Sequence, residues 1–167
     1  MSRTVRPLAV AFPAVVAETG CAAIPADPEG TLERATGGIL RVGMSVHSPW
    51  TELENGQRAG VEVDLVEQFA EGIDAEIEWQ DGGEEFLIGE LEAGALDVVI
   101  GGLTEKSPWV DQAALTRPYV VVTSPSGSPE PHVMASRMGE NALLVALERF
   151  LEDRETEVAE LVDGEEP

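Results

Sequence analysis

Five residues in the middle of the chain, Trp50, Gly102, Thr104, Ser107 and Trp109, have the types and spacing of a small-molecule binding wall. Indole faces attract flat or cationic groups by stacking and cation–π forces. A glycine lets backbone amides come close to a ligand, and threonine and serine hydroxyls both donate and accept hydrogen bonds. With Glu52 and Glu105 nearby in sequence, the chemistry expected is non-covalent capture of a cationic or aromatic solute. Each residue has a plainer reading beside this one. The tryptophans would cover exposed edges, and Thr104 would cap the turn that follows it.

Catalytic and metal patterns are absent from the sequence. There is no Gly-x-x-x-x-Gly-Lys phosphate loop and no Gly-x-Ser-x-Gly elbow. His47 and His132, the two histidines, stand far apart without ligand-type spacing, so a zinc site is not expected. Glu84 and Glu85 open a helix, where carboxylates complement the dipole. Asp64 reads as a helix cap rather than an acid–base group.

The wall needs strands that end beside it. Leu40–Val46 reads as a first strand, apolar on both faces as in a buried parallel sheet. Residues 47–60 form a loop rich in turn formers, Pro49, Asn55-Gly56 and Gly60. A helix follows with Asp64 as N-cap, Glu67 three residues on, and Leu65, Val66, Phe69, Ala70 and Ile73 facing the sheet. Ala75–Trp79 alternates Ile77 and Trp79 with Glu76 and Glu78, as an edge strand does. Glu84–Ala93 is a helix with Phe86, Leu87 and Leu91 inward and Gly94 as its stop. Asp97–Gly101 is a central strand. Ser107-Pro108 has the chemistry of a short helix start, and Pro118–Thr123 makes a fourth strand. Ser124–Pro131 reads as a linker or tight loop, and His132–Ser136 as a short returning strand. Leu143, Leu147, Phe150, Leu151, Val158 and Leu161 share one stripe of a long C-terminal helix, before an acidic tail at 163–167.

Composition narrows the classes. A chain of 167 residues supports one core of ordinary size, and 43% hydrophobic residues with a mean hydropathy of −0.03 indicate a folded domain. Thirty-two acids against 10 bases give a net charge of −22. Nucleic acid is excluded as a partner, since phosphate neutralisation needs basic clusters, and anionic lipid would repel the chain. Cys21 is the single cysteine, so no internal disulfide framework exists. Arg3 and Arg6, the mostly apolar Pro7–Ala17 and then Gly20-Cys21-Ala22 outline an export signal at 1–21, with Cys21 placed as the lipidated residue of a bacterial lipoprotein. Residues 22–37 read as a tether with one helical turn at Thr31–Ala35, contributing nothing to the core.

The order of these pieces resembles the first lobe of the bacterial extracellular solute-binding proteins of polar amino acid uptake, which have the type II periplasmic-binding-protein fold. Leu40–Gly43 matches the opening strand, Ser48-Pro49-Trp50 in part the turn after it, and Gly60–Leu65 the alternating acidic helix start. Leu91, Gly94 and Asp97 match the step into the third strand, and Gly102-Leu103-Thr104 its Gly-x-Thr exit. Thr116-Arg117-Pro118-Tyr119 matches the run that crosses into lobe two. The likeness covers about 38–123, with Gly139–Leu161 like the helix that packs back on lobe one.

Two departures accompany it. Where the family continues into a second lobe, this chain has only Ser124–Met138. The position of the arginine that forks a ligand carboxylate in many amino-acid binders is Trp109, with Lys106 nearby as a point charge.

The resemblance implies a three-layer α/β/α sandwich with a mostly parallel sheet of about five strands, a single lobe spanning 38–162. It implies a non-enzymatic, envelope-located binding domain of an ABC-type transport or sensing system, without cofactor. A membrane transporter subunit or a second copy of the chain would be its partner, the membrane being reached only through Cys21. The alternative is an interaction or self-associating module using the exposed strand ends. Dehydratases acting on cyclohexadienyl acids resemble the same family, but that chemistry needs a carboxylate-binding arginine, for which Arg117 is the candidate near the sheet.

Overall fold

Val98, Val99 and Ile100 offer no polar face, so the strand they form has to lie inside a sheet covered on both sides. The computed structural model of the protein describes residues 27–124 and 126–164, and the strand is central there. Cys21 and the whole 1–21 segment lie outside the described residues, as do 165–167 of the acidic tail.

The elements run α1 (Thr31–Ala35), β1 (Ile39–Met44), β2 (Glu52–Glu54), β3 (Gln57–Ala59), α2 (Val61–Gly72), β4 (Glu76–Asp81), α3 (Glu84–Glu92) and β5 (Val98–Ile100). They continue with β6 (Ala113–Leu115), β7 (Val120–Thr123), β8 (Pro129–His132), β9 (Ala135–Arg137), α4 (Asn141–Glu152) and α5 (Glu155–Gly164). The main sheet has the order β4-β1-β5-β9-β6. β4, β1 and β5 pair in parallel, and β9 runs antiparallel to both β5 and β6. Four of the five strands therefore point the same way. This is the α/β sandwich expected, with β4 at the edge as its alternating pattern required.

Two apolar cores sit on opposite faces. Leu40, Val42, Met44, Val98 and Ile100 pack against Val66 and Phe69 of α2, Leu143, Leu147 and Leu151 of α4, and Val158 of α5. Val99 packs with Leu87, Ile88 and Leu91 of α3 and with Leu96. A side chain at Gly43 would lie 2.7 Å from Leu96, so the absence of a Cβ there lets the chain after α3 settle on the sheet.

The strand register is held by one buried acid. Asp97 is fully buried and accepts hydrogen bonds from the Arg41 backbone N–H (3.0 Å), from Arg41 Nη2 (2.6 Å) and from Arg34 Nη2 (2.6 Å). Arg41 Nη1 also donates to the Gly94 carbonyl at 2.8 Å. Thus the Leu-x-x-Gly-x-x-Asp step is a clamp joining β5 to β1 and α1.

Several expectations are corrected. Gly60, not Asp64, precedes α2, and Asp64 lies exposed in its first turn, its N–H bonded to the Gly60 carbonyl. The 47–60 loop contains the β2–β3 hairpin, turned by Asn55-Gly56. Phe86 is 55% exposed, and Ile88 takes its place inward on α3. Ser107-Pro108 starts turns rather than a helix. The Pro118–Thr123 strand stands outside the main sheet, as a ribbon with β8. Within 124–138, β9 is a main-sheet strand, so this segment is more than a replacement for a missing lobe. The C-terminal helix is two helices broken at Asp153-Arg154, and Leu161 is exposed while Phe150 is half-buried against Phe69. Residues 31–37 are not a bare tether: Ala35 is fully buried in the core and Thr31 N–H donates to Glu140.

Two substitutions check this architecture. Leu147→Ala, which empties a fully buried site under α4, should cost about 2–5 kcal/mol by urea unfolding. Arg41→Met should cost about 3–5 kcal/mol, because it leaves the buried Asp97 carboxylate short of a partner.

Candidate functional site

Parallel strands β1 and β5 both end at one rim, and the chain leaving each must turn without blocking the other. After β5 it turns through Gly101 (φ 154°) and Gly102 (φ 66°). A Cβ on Gly102 would lie 2.7 Å from the Trp50 ring and 3.1 Å from His47, so only glycine fits. The two amides exposed by this turn find a single acceptor. Glu62 Oε2, buried on the first turn of α2, accepts from Gly101 N–H at 2.7 Å and Gly102 N–H at 2.9 Å. Its Oε1 accepts from the Tyr119 hydroxyl at 2.6 Å. Burial raises the Glu62 pKa, and the Tyr119 hydroxyl and the two amides pull it back. Burial and the neighbouring Glu62 charge hold the Tyr119 hydroxyl well above its ordinary value.

Against this turn the returning chain closes. Val133 N–H donates to the Leu103 carbonyl (2.9 Å), Glu105 N–H to Pro131 (3.1 Å) and Tyr119 N–H to His132 (3.0 Å). His132 thereby arrives beside Thr104, and its ring stacks on Trp50 with centroids 3.8 Å apart. Tyr119 meets Trp50 edge-on at 6.2 Å.

The result is a cavity of about 260 Å³ at the strand ends, lined by His47, Trp50, Glu84, Gly102, Leu103, Thr104, Ser107, Glu130 and His132. Four of the residues singled out in the sequence, Trp50, Gly102, Thr104 and Ser107, share its wall. Trp109 stands behind it, half-buried, with its indole N–H donated to Glu84. Trp50 is 5% exposed, with His132 against its ring. The Ser107 hydroxyl accepts from Thr104 N–H at 3.1 Å and shapes the loop. Glu52 bonds to Ser48, and neither it nor Glu105 lines the cavity. Arg117 pairs with Glu148 and Glu152, away from the rim.

Sequence reasoning missed His132, Glu130 and Glu84 as wall residues, and it set the two histidines apart where the fold places both on one cavity. The signal available was the Val120–His132 pairing across the Ser124–Ser128 turn, legible only once β7 and β8 are seen as a hairpin. A larger open groove, about 810 Å³, runs between α2 and β4 at the opposite end of β1, past the exposed Glu67, Glu71, Asp74 and Glu76. Its carboxylates are solvated, and the Gly37-Gly38 turn closes one end of it.

Comparison with known proteins gives concordant results. The profile of the bacterial extracellular solute-binding proteins, family 3, matches residues 40–163. The arginine-bound form of domain 1 from TmArgBP, a T. maritima protein, shares 28% identity and superposes with a TM-score of 0.64 over 72% of this chain and 97% of that one. The Phe57Trp mutant of the same domain gives 27% identity and a TM-score of 0.65, over 75% and 98%. The probable amino-acid-binding protein YxeM of Bacillus subtilis is 30% identical over 82 residues, 48% of this chain. The chain spans about a third of that relative, 31% of its length.

Burial gives the site a pH signature. It pushes the His132 imidazole from 6.5 down to about 4, with Glu130 opposing and His47 adding to the shift. Between those values the unfolded chain binds a proton that the folded chain refuses, so this contribution to stability is lost as pH falls from 6.5 through 4. Glu62 works in the opposite sense, its raised pKa favouring the folded state as pH falls. In a His132→Phe variant the His132 part vanishes while the Glu62 part remains. Unfolding measured at pH 7 and pH 4 should therefore show wild type losing up to about 3 kcal/mol more than the variant.

Proposed function

The chain belongs to the bacterial extracellular solute-binding proteins, family 3, and from that premise we propose that the strand-end cavity binds a small cationic solute of amino-acid size, without chemistry. The observation that carries this reading is the wall itself. Glu84 and Glu130 line a cavity whose wall, among the described residues, holds no lysine or arginine. A site of this sign selects cations by complementarity, and the 32 acids of the chain add a field of the same sign. The arginine-bound form of domain 1 from TmArgBP supplies the first solute to try.

One lobe offers one wall. A small ligand usually hides most of its surface on binding, while the cost of immobilising it does not shrink with the contact. Affinity of the monomer is accordingly set at about micromolar to millimolar. A transporter subunit or a second copy, seated over the strand ends, would supply the opposite wall for tighter capture. Extracellular work fits the family's description, and we place the chain in the cell envelope, exported by residues 1–21 and anchored through Cys21.

Calorimetry and thermal unfolding on a monomer verified by light scattering test the reading. Arginine, lysine and agmatine are titrated to about 100 mM, about 100 times the weakest Kd expected. Binding of at least one is expected, and ligand at 100 times Kd should raise stability by about 2.7 kcal/mol. No heat and no shift with any of the three would reject a cation site in this cavity.

A further inference from the structure

His132 is 3% exposed, lines the cavity, and has neither ring nitrogen hydrogen-bonded among the described residues. A buried polar group without a partner carries a desolvation cost that most proteins avoid. Asp27 and Ser136 also hold buried unpartnered oxygens, but neither is at the strand-end cavity. The His132 ring stacks on Trp50, and its main chain is held by the Tyr119 N–H to His132 carbonyl bond. Two residues earlier on the same strand, Glu130 projects to the same face, as alternation along β8 requires, and lines the same cavity. The β7–β8 ribbon thus brings an acceptor-capable imidazole and a carboxylate over the Gly101–Thr104 turn.

We propose that His132 and Glu130 are ligand-contacting residues, and that they make the cavity prefer an ammonium or guanidinium compound without a carboxylate over the amino acid that carries one. The inference rests on the cation-binding reading above. Its chemistry is direct. A neutral imidazole nitrogen accepts a hydrogen bond from a charged N–H, and Glu130 supplies the counter-charge. A ligand carboxylate entering the same space would meet Glu84 and Glu130, with no lysine or arginine among the described lining residues to offset them. Like charges at such range are unfavourable even when part-solvated. The Thr104 N–H already donates to Ser107 Oγ, and the Gly101 and Gly102 amides already donate to Glu62, so these backbone donors are taken and a carboxylate would find only hydroxyl O–H groups.

Agmatine and arginine differ by that carboxylate alone, which makes them the probes. Titration calorimetry of the full chain near pH 7.5 should give agmatine at least 10-fold the affinity of arginine. His132→Phe keeps an aromatic ring to stack on Trp50 and deletes both nitrogens; Glu130→Gln keeps the shape and deletes the charge. Each should lower agmatine affinity about 10-fold or more, and His132→Phe should melt no lower than wild type at this pH, since it removes two unpartnered buried atoms. Equal or tighter binding of arginine by wild type overturns the carboxylate exclusion. Unchanged agmatine affinity in a folded His132→Phe or Glu130→Gln protein overturns the assigned contact. Failure of wild type to bind agmatine, arginine and lysine alike overturns the cation-site reading itself, and this proposal with it.

Discussion

The site depends on one buried carboxylate. Glu62 is fully buried on the first turn of α2, yet every bond it accepts comes from outside that helix: two amides of the Gly101-Gly102 turn and the Tyr119 hydroxyl. These are the exit of β5 and the entrance to the β7–β8 ribbon. A buried charge is tolerated only when its lone pairs are satisfied, so the helix start, the turn and the ribbon must all be placed together or the cost falls due. The glycine turn then presents its surface to the cavity, and the ribbon delivers His132 onto Trp50. Asp97 plays the matching part below, tying β5 to β1 and α1. Between the two acids, the central strand is held at both ends.

Much of the fold was legible because burial leaves a period in the sequence. The Val98–Ile100 run announced a central strand, and the alternation of Ile77 and Trp79 with acids announced an edge. The positions that misled are those where local propensity and tertiary contact disagree. Asp64 has the chemistry of a cap, but Gly60 precedes the helix, and starting there puts Glu62 within reach of the turn amides. Phe86 carries more apolar surface than Ile88, yet the helical face that meets Leu91 includes Ile88. The break at Asp153-Arg154 lies inside a stripe that would continue smoothly through it. It lets Val158 reach the core while Leu161 turns outward.

The site was half legible. Residues at strand ends are predictable once the strands are, which is why Trp50, Gly102, Thr104 and Ser107 converge. The other half comes from a segment with little apolar content, Pro129-Glu130-Pro131-His132, whose importance is positional. A Pro-rich stretch reads as a loop from its composition. Here the prolines occupy a two-stranded ribbon outside the main sheet, where missing N–H donors cost least. Trp109 shows the converse case, a residue prominent in sequence that the fold uses to orient Glu84 rather than to line the cavity.

The ribbon tip has a consequence for how such a domain can be extended. At the Ser124–Ser128 turn the two strands are closed by a bond from Ser124 N–H to the Ser128 carbonyl at 2.9 Å. Chain leaving one strand and re-entering the other therefore does so through two points already side by side. Spliced-in polypeptide of any size meets there a ready-made pair of anchor ends, and each doubling of its length adds only about 0.6 kcal/mol of closure entropy. The cores on both faces of the sheet would not register the change. A module built this way can gain or shed a companion domain without relearning how to fold.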